Sequence, residues 1–491
     1  MEKQCVRLCE QSGRFVCGTS SSPKRCRSEF DIPKAEKLLT KDRLSDRENR
    51  MQEIRNALER EKNGLTLVLG AGISIPMEMP SWVGLISKMS GYAFRYRDYR
   101  DYIYTVDKRT HEELDQANRL QLALIEGKLQ IMEGVNVLEA AQYIWDGLIT
   151  DGKDLQAAEE QMKGIISLIM DKSIEPKKFL SERSCYLVQH YIRHPEKIPI
   201  EFKAFKKKID TVREKVFSDA ATEPDWGKVE WEELQSMQSQ IPDKLHWQLD
   251  QFADTEKAET LRDIAQENTL CAVAHLLYAK CGFKRVVTYN YDTLVEEYLT
   301  SVFGVPPDGI TSHTESWTNR SGGNGIPIFH VHGCVPRSSP DKPEHYVESS
   351  RLILSEDSYY ETERYGAYNW QNSIQSYFLN RDHCVFIGFS ADDYNFRRIL
   401  RQMEDRSEDR PKHYLFLTID PIIHDIYESV CCYQLSRTDV NSTPEDIWSD
   451  MCFLLDQILV MREQYWERYG LYPIWVTITE LPKLLLSLSN I

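Results

Sequence analysis

The stretch Leu65–Ser74, LTLVLGAGIS, restricts the fold more than any other part of the chain. A short, mostly apolar run leads directly into Gly70-Ala71-Gly72, and Ser74 follows. That order predicts a buried parallel strand, a tight turn and then a helix N-terminus. Glycines at such a turn let the backbone come close to a phosphate. The N–H groups beyond it, at the positive end of a helix dipole, can then hold the anion. Gly-x-Gly after a strand also closes plain tight turns, so the turn alone leaves both readings open.

Composition narrows the class. The 491 residues allow roughly two to four domains. With 41% apolar and 28% charged residues the chain has the balance of a globular protein. A net charge of −16 argues against a general nucleic-acid binder. No run approaches about 18 apolar residues, so no membrane span is expected. The opening MEKQCVRLCEQSGRFVCG has no apolar signal core, which predicts a cytoplasmic protein whose twelve cysteines are reduced thiols.

Along the chain, residues 1–40 show no sustained periodicity and are expected to be loosely ordered. Cys5, Cys9, Cys17 and Cys26 lack the spacing of paired C-x2-C knuckles, so no metal is expected there. Residues 41–90 hold a charged helix over Asp42–Lys62, with Met51, Ile54 and Leu58 on one face, and then the glycine turn. Pro76 and Pro80 break any long helix after the turn, and Ser81 is placed to cap Trp82–Ser90. Trp82 reads either as the core anchor of that helix or as the wall of a ligand pocket. Residues 91–268 read as a helical insertion. Asn136 with Glu139 resembles a capping box, followed by a face of Val137, Leu138, Ala141, Ile144, Trp145 and Leu148. Met162, Ile165, Ile166, Ile169 and Met170 make a second face. Further helices are predicted in Lys178–Tyr191, Ile200–Phe217 and Trp231–Phe252.

Strand signals return in residues 269–425: KRVVTYNYD, IPIFHVHG, HCVFIGFS and HYLFLTID, ending at Asp292, Gly333, Ser390 and Asp420. Helical segments lie around them over Thr269–Cys281, Leu294–Phe303, Ser355–Leu379 and Asp393–Asp405. The alternation predicts an α/β fold: a Rossmann-like parallel sheet with helices on both faces, interrupted by the helical insertion. Residues 426–491 are expected to be a helical C-terminal extension. Its main helix is Thr443–Gln464, capped from Asn441-Ser442-Thr443 and striped by Met451, Leu454, Leu455, Ile458 and Leu459. The closing LPKLLLSLSNI is placed either on the core or on a partner.

Ligands of parallel sheets bind beyond the C-terminal strand ends, and the polar tips collect there. In TYNYD the period of two puts Thr288, Asn290 and Asp292 on one face. They can bond a ribose or an amide, or they can simply close the turn and cap the next helix. HVHG offers His330 and His332 as base or acid near neutral pH, and spacing does not choose between them. GFSADDYNF gives a second glycine turn at Gly388, where Ser390 can cap the next helix or meet a phosphate or ribose. Asp420, at the end of HYLFLTID, sits where an acidic side chain commonly holds ribose hydroxyls.

Together these motifs resemble the sirtuin superfamily. GAGIS matches its phosphate-binding turn, TYNYD its TQNID motif, His332-Gly333 its catalytic His-Gly, and Gly388–Ser390 its Gly-Thr/Ser-Ser. The resemblance covers roughly 65–80 and 283–420, which makes 41–90 and 269–425 two parts of one sirtuin-like NAD-binding core. Two departures separate the chain from the deacylases. PMEMPSW replaces their Pro-Asp-Phe-Arg segment, and only Cys334 and Cys384 stand where they carry two C-x2-C zinc pairs. PSW, TxNYDxLVE and GFSADDYNFR look instead like the bacterial sirtuin-like NAD hydrolases of anti-phage defence, the Thoeris effector among them.

That resemblance implies NAD+ as substrate, no metal, and release of nicotinamide and ADP-ribose. It implies that Asn290 orients the nicotinamide ribose and water, Asp292 reads the carboxamide, and His332 is the general base. Gly70, Ala71, Gly72 and Ser74 would hold the pyrophosphate. Thr288, Gly388, Ser390 and Asp420 would complete the cofactor site, the last three on the adenosine side. A homo-oligomer held latent until a phage-derived or second-messenger activator, or a partner ATPase, releases it is the expected assembly. Two alternatives stand beside this reading: an NAD-dependent protein deacylase, and a non-catalytic sensor of NAD or ADP-ribose in a defence assembly.

Overall fold

The structure is a computed structural model and describes residues 4–9, 14–19, 35–60, 64–93, 136–149, 155–174, 176, 185–217, 224–245, 254–266, 268–314, 325–337, 350–364, 369–390, 393–402, 411–436 and 444–489. Strands β1 (Gln4–Cys9) and β2 (Arg14–Thr19) pair as an antiparallel hairpin. The expectation of a loosely ordered start is thereby corrected for these residues. The sequence QCVRLC mixes polar and apolar residues on both faces, Gln4/Val6/Leu8 and Cys5/Arg7/Cys9, so no period-two pattern marks the strand. Of the four N-terminal cysteines, three lie on this hairpin and Cys26 lies outside the described residues.

The remaining strands form one seven-stranded sheet. They are β3 (Leu65–Leu69), β4 (Phe283–Thr288), β5 (Ile310–His313), β6 (Ile326–His330), β7 (Cys384–Ile387), β8 (His413–Thr418) and β9 (Leu471–Val476). Their order is β5-β6-β4-β3-β7-β8-β9, and every pair is parallel. The fold is therefore the expected Rossmann-like α/β sheet. All five residues of β3 are buried, as a central strand covered on both faces must be. Leu67 and Leu69 enter one core cluster and Val68 the other, the alternation that a strand imposes. The first cluster takes Met51, Ile54 and Leu58 from the helix Lys41–Arg60, together with the insertion helices. The second takes Ile374 and Phe378 from the helix Trp370–Arg381, and Phe396 from the helix Tyr394–Gln402.

The insertion is helical where it is described: Val137–Ile149, Leu155–Met170, Tyr186–Arg193, Lys203–Val216, Trp231–Gln238 and Asp254–Ala265. Met162, Ile165, Ile166, Ile169 and Met170 are all buried. Asn136 caps the first of these helices by accepting the Leu138 N–H at 3.0 Å, while Glu139 accepts from Tyr143. The predicted stretches 178–184 and 246–252 lie outside the described residues, and so does the cap at Asn441-Ser442-Thr443. The predicted helix over Ser355–Leu379 is two helices, Glu356–Arg364 and Trp370–Arg381, the second capped by Asn369.

The tail departs from an all-helical reading. After the helices Asp420–Ser436 and Pro444–Glu467, the segment LYPIWV forms β9 and extends the sheet beyond β8. Its β-branched and aromatic residues favour a strand, and an edge position tolerates Pro473. The closing helix Leu481–Leu486 then packs on Thr269–Tyr278, within the first core cluster.

The turns after β3 and β7 meet at the centre of the sheet. The Gly72 N–H donates to the Gly388 carbonyl at 2.8 Å, and Gly70 N–H to the Ile387 carbonyl at 3.1 Å. Gly388 has φ +63°, and a Cβ there would lie 2.5 Å from the Ile73 nitrogen. We expect Gly388→Ala to lower the chemical-denaturation stability by about 1–3 kcal/mol from its conformation alone, and further through the clash. Gly164→Ala, in open space on a helix, should by contrast be neutral or stabilising by up to about 1 kcal/mol. Equal midpoints for the two variants would contradict this account.

Candidate active site

The segment after β3 does not enter an α-helix at once. It makes two 3-10 turns, Ala71–Ile73 and Ile75–Met77, and the helix Trp82–Ala93 begins only beyond Pro80. This corrects the expected helix N-terminus at the glycine turn: Pro76 and Pro80 leave no room for one. The N–H groups of Gly70, Gly72, Ile73 and Ser74 all donate to protein carbonyls. Ser81 is the cap of the helix that follows, its hydroxyl accepting the Gly84 N–H at 3.3 Å.

What the two turns achieve is the placement of Ser74. It is buried, and its hydroxyl accepts from Asn290 Nδ2 at 3.2 Å. Asn290 is positioned from its own side by Thr288, whose Oγ1 accepts the Asn290 N–H at 3.1 Å. Asn290 Oδ1 is buried and has no hydrogen-bond partner among the described residues. Asp292 Oδ1 accepts the Leu294 N–H at 3.1 Å at the start of the helix Leu294–Ser301. Asp292 therefore caps this helix, one of the two readings expected of it, and it also lines a cavity. Burial pushes its carboxyl up to about 6, a rise that the Leu294 N–H and the Ser74 hydroxyl offset only in part.

Ala71, Ser74, Asn290 and Asp292 line one cavity with Trp82, Tyr289, Tyr291 and Met170. Its empty space is about 440 Å³, part of it open to solvent. The Trp82 ring is stacked on Tyr291 at 5.8 Å, so Trp82 is pocket wall as well as core anchor. Met170 comes from the insertion, whose next residues are tied down: Ile174 N–H to the Met77 carbonyl at 3.0 Å, and Arg337 to Ser173 Oγ at 3.1 Å. Arg337 also pairs with Glu297 beside the site.

The structure separates the two histidines. His330 Nε2 lies 2.8 Å from Glu296 Oε1, which also accepts from Ser312 at 2.9 Å. Both members are buried; burial pulls His330 down, but Glu296 outweighs it and holds the imidazole above its ordinary value. His330 is thus spent on a buried ion pair. His332 is buried too, and its ring meets Tyr289 edge-on at 4.9 Å and Tyr359 at 5.7 Å. It does not line the cavity itself; Tyr289 and Tyr291, which do, pack against it. Burial holds its pKa below the ordinary value, against the opposing pull of Asp393. Gly333, at φ +81°, makes the turn possible, since a Cβ there would lie 2.2 Å from the Arg351 carbonyl oxygen.

Of the sequence-predicted residues, Gly70, Gly72, Thr288, His332, Gly388, Ser390 and Asp420 do not line this cavity. Gly388 packs on the first glycine turn, and Ser390 is exposed beyond it. The helix Tyr394–Gln402 is capped by Asp393, which accepts the Phe396 N–H at 2.7 Å, and not by Ser390 as expected. Ser390 lies four residues before the helix begins, which is too far to reach its first N–H groups. Asp420 lies at the tip of β8, where its carboxylate accepts the Ile478 N–H at 3.0 Å. Sequence reasoning missed Tyr289, Tyr359 and Asp393; the aromatic residues flanking Asn290 and the D-x-x-F spacing at the start of the helix Tyr394–Gln402 were the available signals.

With this geometry in hand, the comparison with known families falls on the same elements. Residues 284–431 match the family model of the SIR2-like domain, which supports a sirtuin-like family for that part of the chain. The match spans TYNYD, the His-Gly turn and GFS, and begins after GAGIS. SIR2-like domains bind NAD+. A search of curated proteins finds no match to the chain. Among the described residues no three His, Cys, Asp or Glu side chains gather as a metal site, and no helix is long and apolar enough to cross a membrane.

The raised pKa of Asp292 makes a signed prediction. Its folded value, about 6, lies above the ordinary carboxyl value of 3.8, so the folded state binds this proton more tightly. Stability from this group is therefore full below about pH 4 and is lost as pH rises through about 6, by about 3 kcal/mol in all. Asp292→Asn keeps the Leu294 cap and should remove that loss. The stability difference between variant and wild type, read from urea unfolding, should grow in favour of the variant from pH 4 to pH 7. A difference independent of pH would contradict the buried carboxyl.

Proposed function

We propose that the protein is an NAD+ hydrolase that cleaves the nicotinamide–ribose bond to nicotinamide and ADP-ribose. One observation carries the reading. Within the SIR2-like match, Asn290 and Asp292 line one aromatic-walled cavity, and His332 lies directly behind its tyrosines. The nicotinamide of NAD+ is a cationic leaving group, and its departure leaves positive charge on the ribose C1′. A site for this chemistry needs to orient the ribose, hold the leaving amide and guide one water. Asn290 Oδ1, buried without a partner, suits orientation of the ribose and water. Asp292 suits the carboxamide, and Trp82 with Tyr291 suits a flat cationic ring. His332, held neutral by burial, suits a general base near pH 7. Ser74 and Thr288 act in this reading by positioning Asn290, and the adenosine end extends toward Gly388, Ser390 and Asp420.

In the same proposal the enzyme is a cytoplasmic, homo-oligomeric anti-phage effector that depletes NAD+ when triggered by a phage-derived or second-messenger signal or a partner ATPase. The insertion gates the site and the C-terminal extension serves assembly. Met170 in the cavity wall and the Ser173–Arg337 bond support the gate.

Purified protein incubated with NAD+ should release nicotinamide and ADP-ribose, followed by chromatography. His332→Ala should slow release by about 10²–10⁴-fold, the usual share of a general base. Asn290→Ala should do the same or worse, with unchanged folding by circular dichroism. Undiminished release from Asn290→Ala would overturn the assignment. O-acyl-ADP-ribose formed from an acylated peptide would assign a deacylase instead.

A further inference from the structure

We propose that Asp393 is the positioning residue of His332: its carboxylate faces Nε2, orients the ring and stabilises the imidazolium that forms when the other ring nitrogen accepts a proton during NAD+ cleavage. The proposal rests on the hydrolase reading for its chemistry, but its geometry stands apart from that reading.

His332 Nε2 is buried, lacks a hydrogen-bond partner among the described residues, and lies 3.5 Å from Asp393 Oδ2. The separation exceeds a hydrogen bond and would close to one with a shift of about half an ångström. The carboxylate is itself fixed at both oxygens. Oδ2 accepts from the Tyr359 hydroxyl at 2.7 Å, and Oδ1 accepts the Phe396 N–H at 2.7 Å as the cap of the helix Tyr394–Gln402. A carboxylate held in this way cannot swing to solvent, so its charge stays on the imidazole.

The groups around the ring come from three places. Tyr289 and Tyr291 follow β4, Tyr359 belongs to the helix Glu356–Arg364, and Asp393 precedes the last helix of the SIR2-like match but one. Burial pushes all three phenols well above their ordinary value of 10, so they are neutral. Asp393 is then the one charged group that acts on His332 among the described residues, and it favours the protonated ring.

The step balances without a further reactant. The C1′–N bond breaks and its electron pair goes to the nicotinamide nitrogen. Water forms the new C1′–O bond, and its proton passes to His332 Nδ1, the ring nitrogen that does not face Asp393, while Nε2 keeps its own proton toward Oδ2. The imidazolium so formed is paired with Asp393 Oδ2 until the proton leaves to solvent. Burial alone would make His332 a poor acceptor; a fixed carboxylate beside it offsets part of that loss while the site stays dry.

The test uses the full chain with isotope-labelled histidine, and follows the His332 imidazole through a pH titration by NMR. The His332→Ala spectrum assigns the signal. Asp393→Asn and Asp393→Ser both remove the charge and keep a side-chain acceptor for the Phe396 N–H, so either serves if the other does not fold. The expected result is a His332 pKa lower by one unit or more in the variant, the size of shift an adjacent opposite charge produces. With it, the kcat for NAD+ hydrolysis near pH 7 should fall about 10–100-fold, KM should stay within about twofold, and the acid limb of the kcat profile should move to lower pH. A His332 titration that does not move overturns the pairing, whatever the activity. A titration that moves in a protein that leaves NAD+ intact supports the pairing and counts against the hydrolase reading alone.

Discussion

The contact between two glycine turns sets the rest of the site. At the tips of β3 and β7 the backbone of Gly70–Gly72 lies directly on that of Gly388, and a Cβ on Gly72 would sit 2.8 Å from the Gly388 Cα. No side chain separates the two strands' ends, so the chain after β3 turns across the sheet toward β4. Two 3-10 turns then bring Ser74 against Asn290, 216 residues further along the chain. The glycines thus serve a backbone-to-backbone approach within the protein, and the polar cluster beyond them follows from that approach. The crevice forms where the chain leaves the first strand and strands are added on both sides of it, the usual site for a ligand in such sheets.

Beyond that contact the chemistry is controlled by water exclusion. Asp292, Glu296, His330 and His332 are all buried. Each meets burial differently. His330 and Glu296 neutralise each other as a hydrogen-bonded pair. Asp292 keeps one backbone donor and accepts a raised pKa. His332 stays below its ordinary pKa inside a cage of three tyrosines. A single motif, HVH, therefore supplies one histidine paired with a carboxylate and one packed among tyrosines behind the cavity, and only the third dimension tells them apart. Burying two charges without a partner would cost several kcal/mol each, which is why the structural histidine carries its own carboxylate.

Much of this was legible in the sequence. The buried strands β3, β4, β6, β7 and β8 announced themselves as apolar runs ending in Gly, Asn or Asp, and their alternation with helices gave a parallel sheet. The strands that escaped notice were edges. β5 is only ITSH, and β9 carries Pro473, which in a central strand would forfeit a ladder hydrogen bond. The strand tips Asn290 and Asp292 were readable because a period of two places them together, whereas Ser74's bond to Asn290 and Asp393's approach to His332 join distant segments that no local pattern links. Asp420 shows the converse. Its position at a strand tip matched an expectation, but the chain just beyond β9 supplies the Ile478 N–H that its carboxylate accepts.

The central claim is that water cleaves the nicotinamide–ribose bond at this crevice. The most direct measurement is a brief incubation of the protein with NAD+ in ¹⁸O-labelled water, with mass spectrometry of the products and a control of ADP-ribose alone in the same water. The account predicts nicotinamide and ADP-ribose in equal amounts, the ADP-ribose carrying one ¹⁸O above the control. NAD+ recovered intact, or ADP-ribose products without the label, would contradict it.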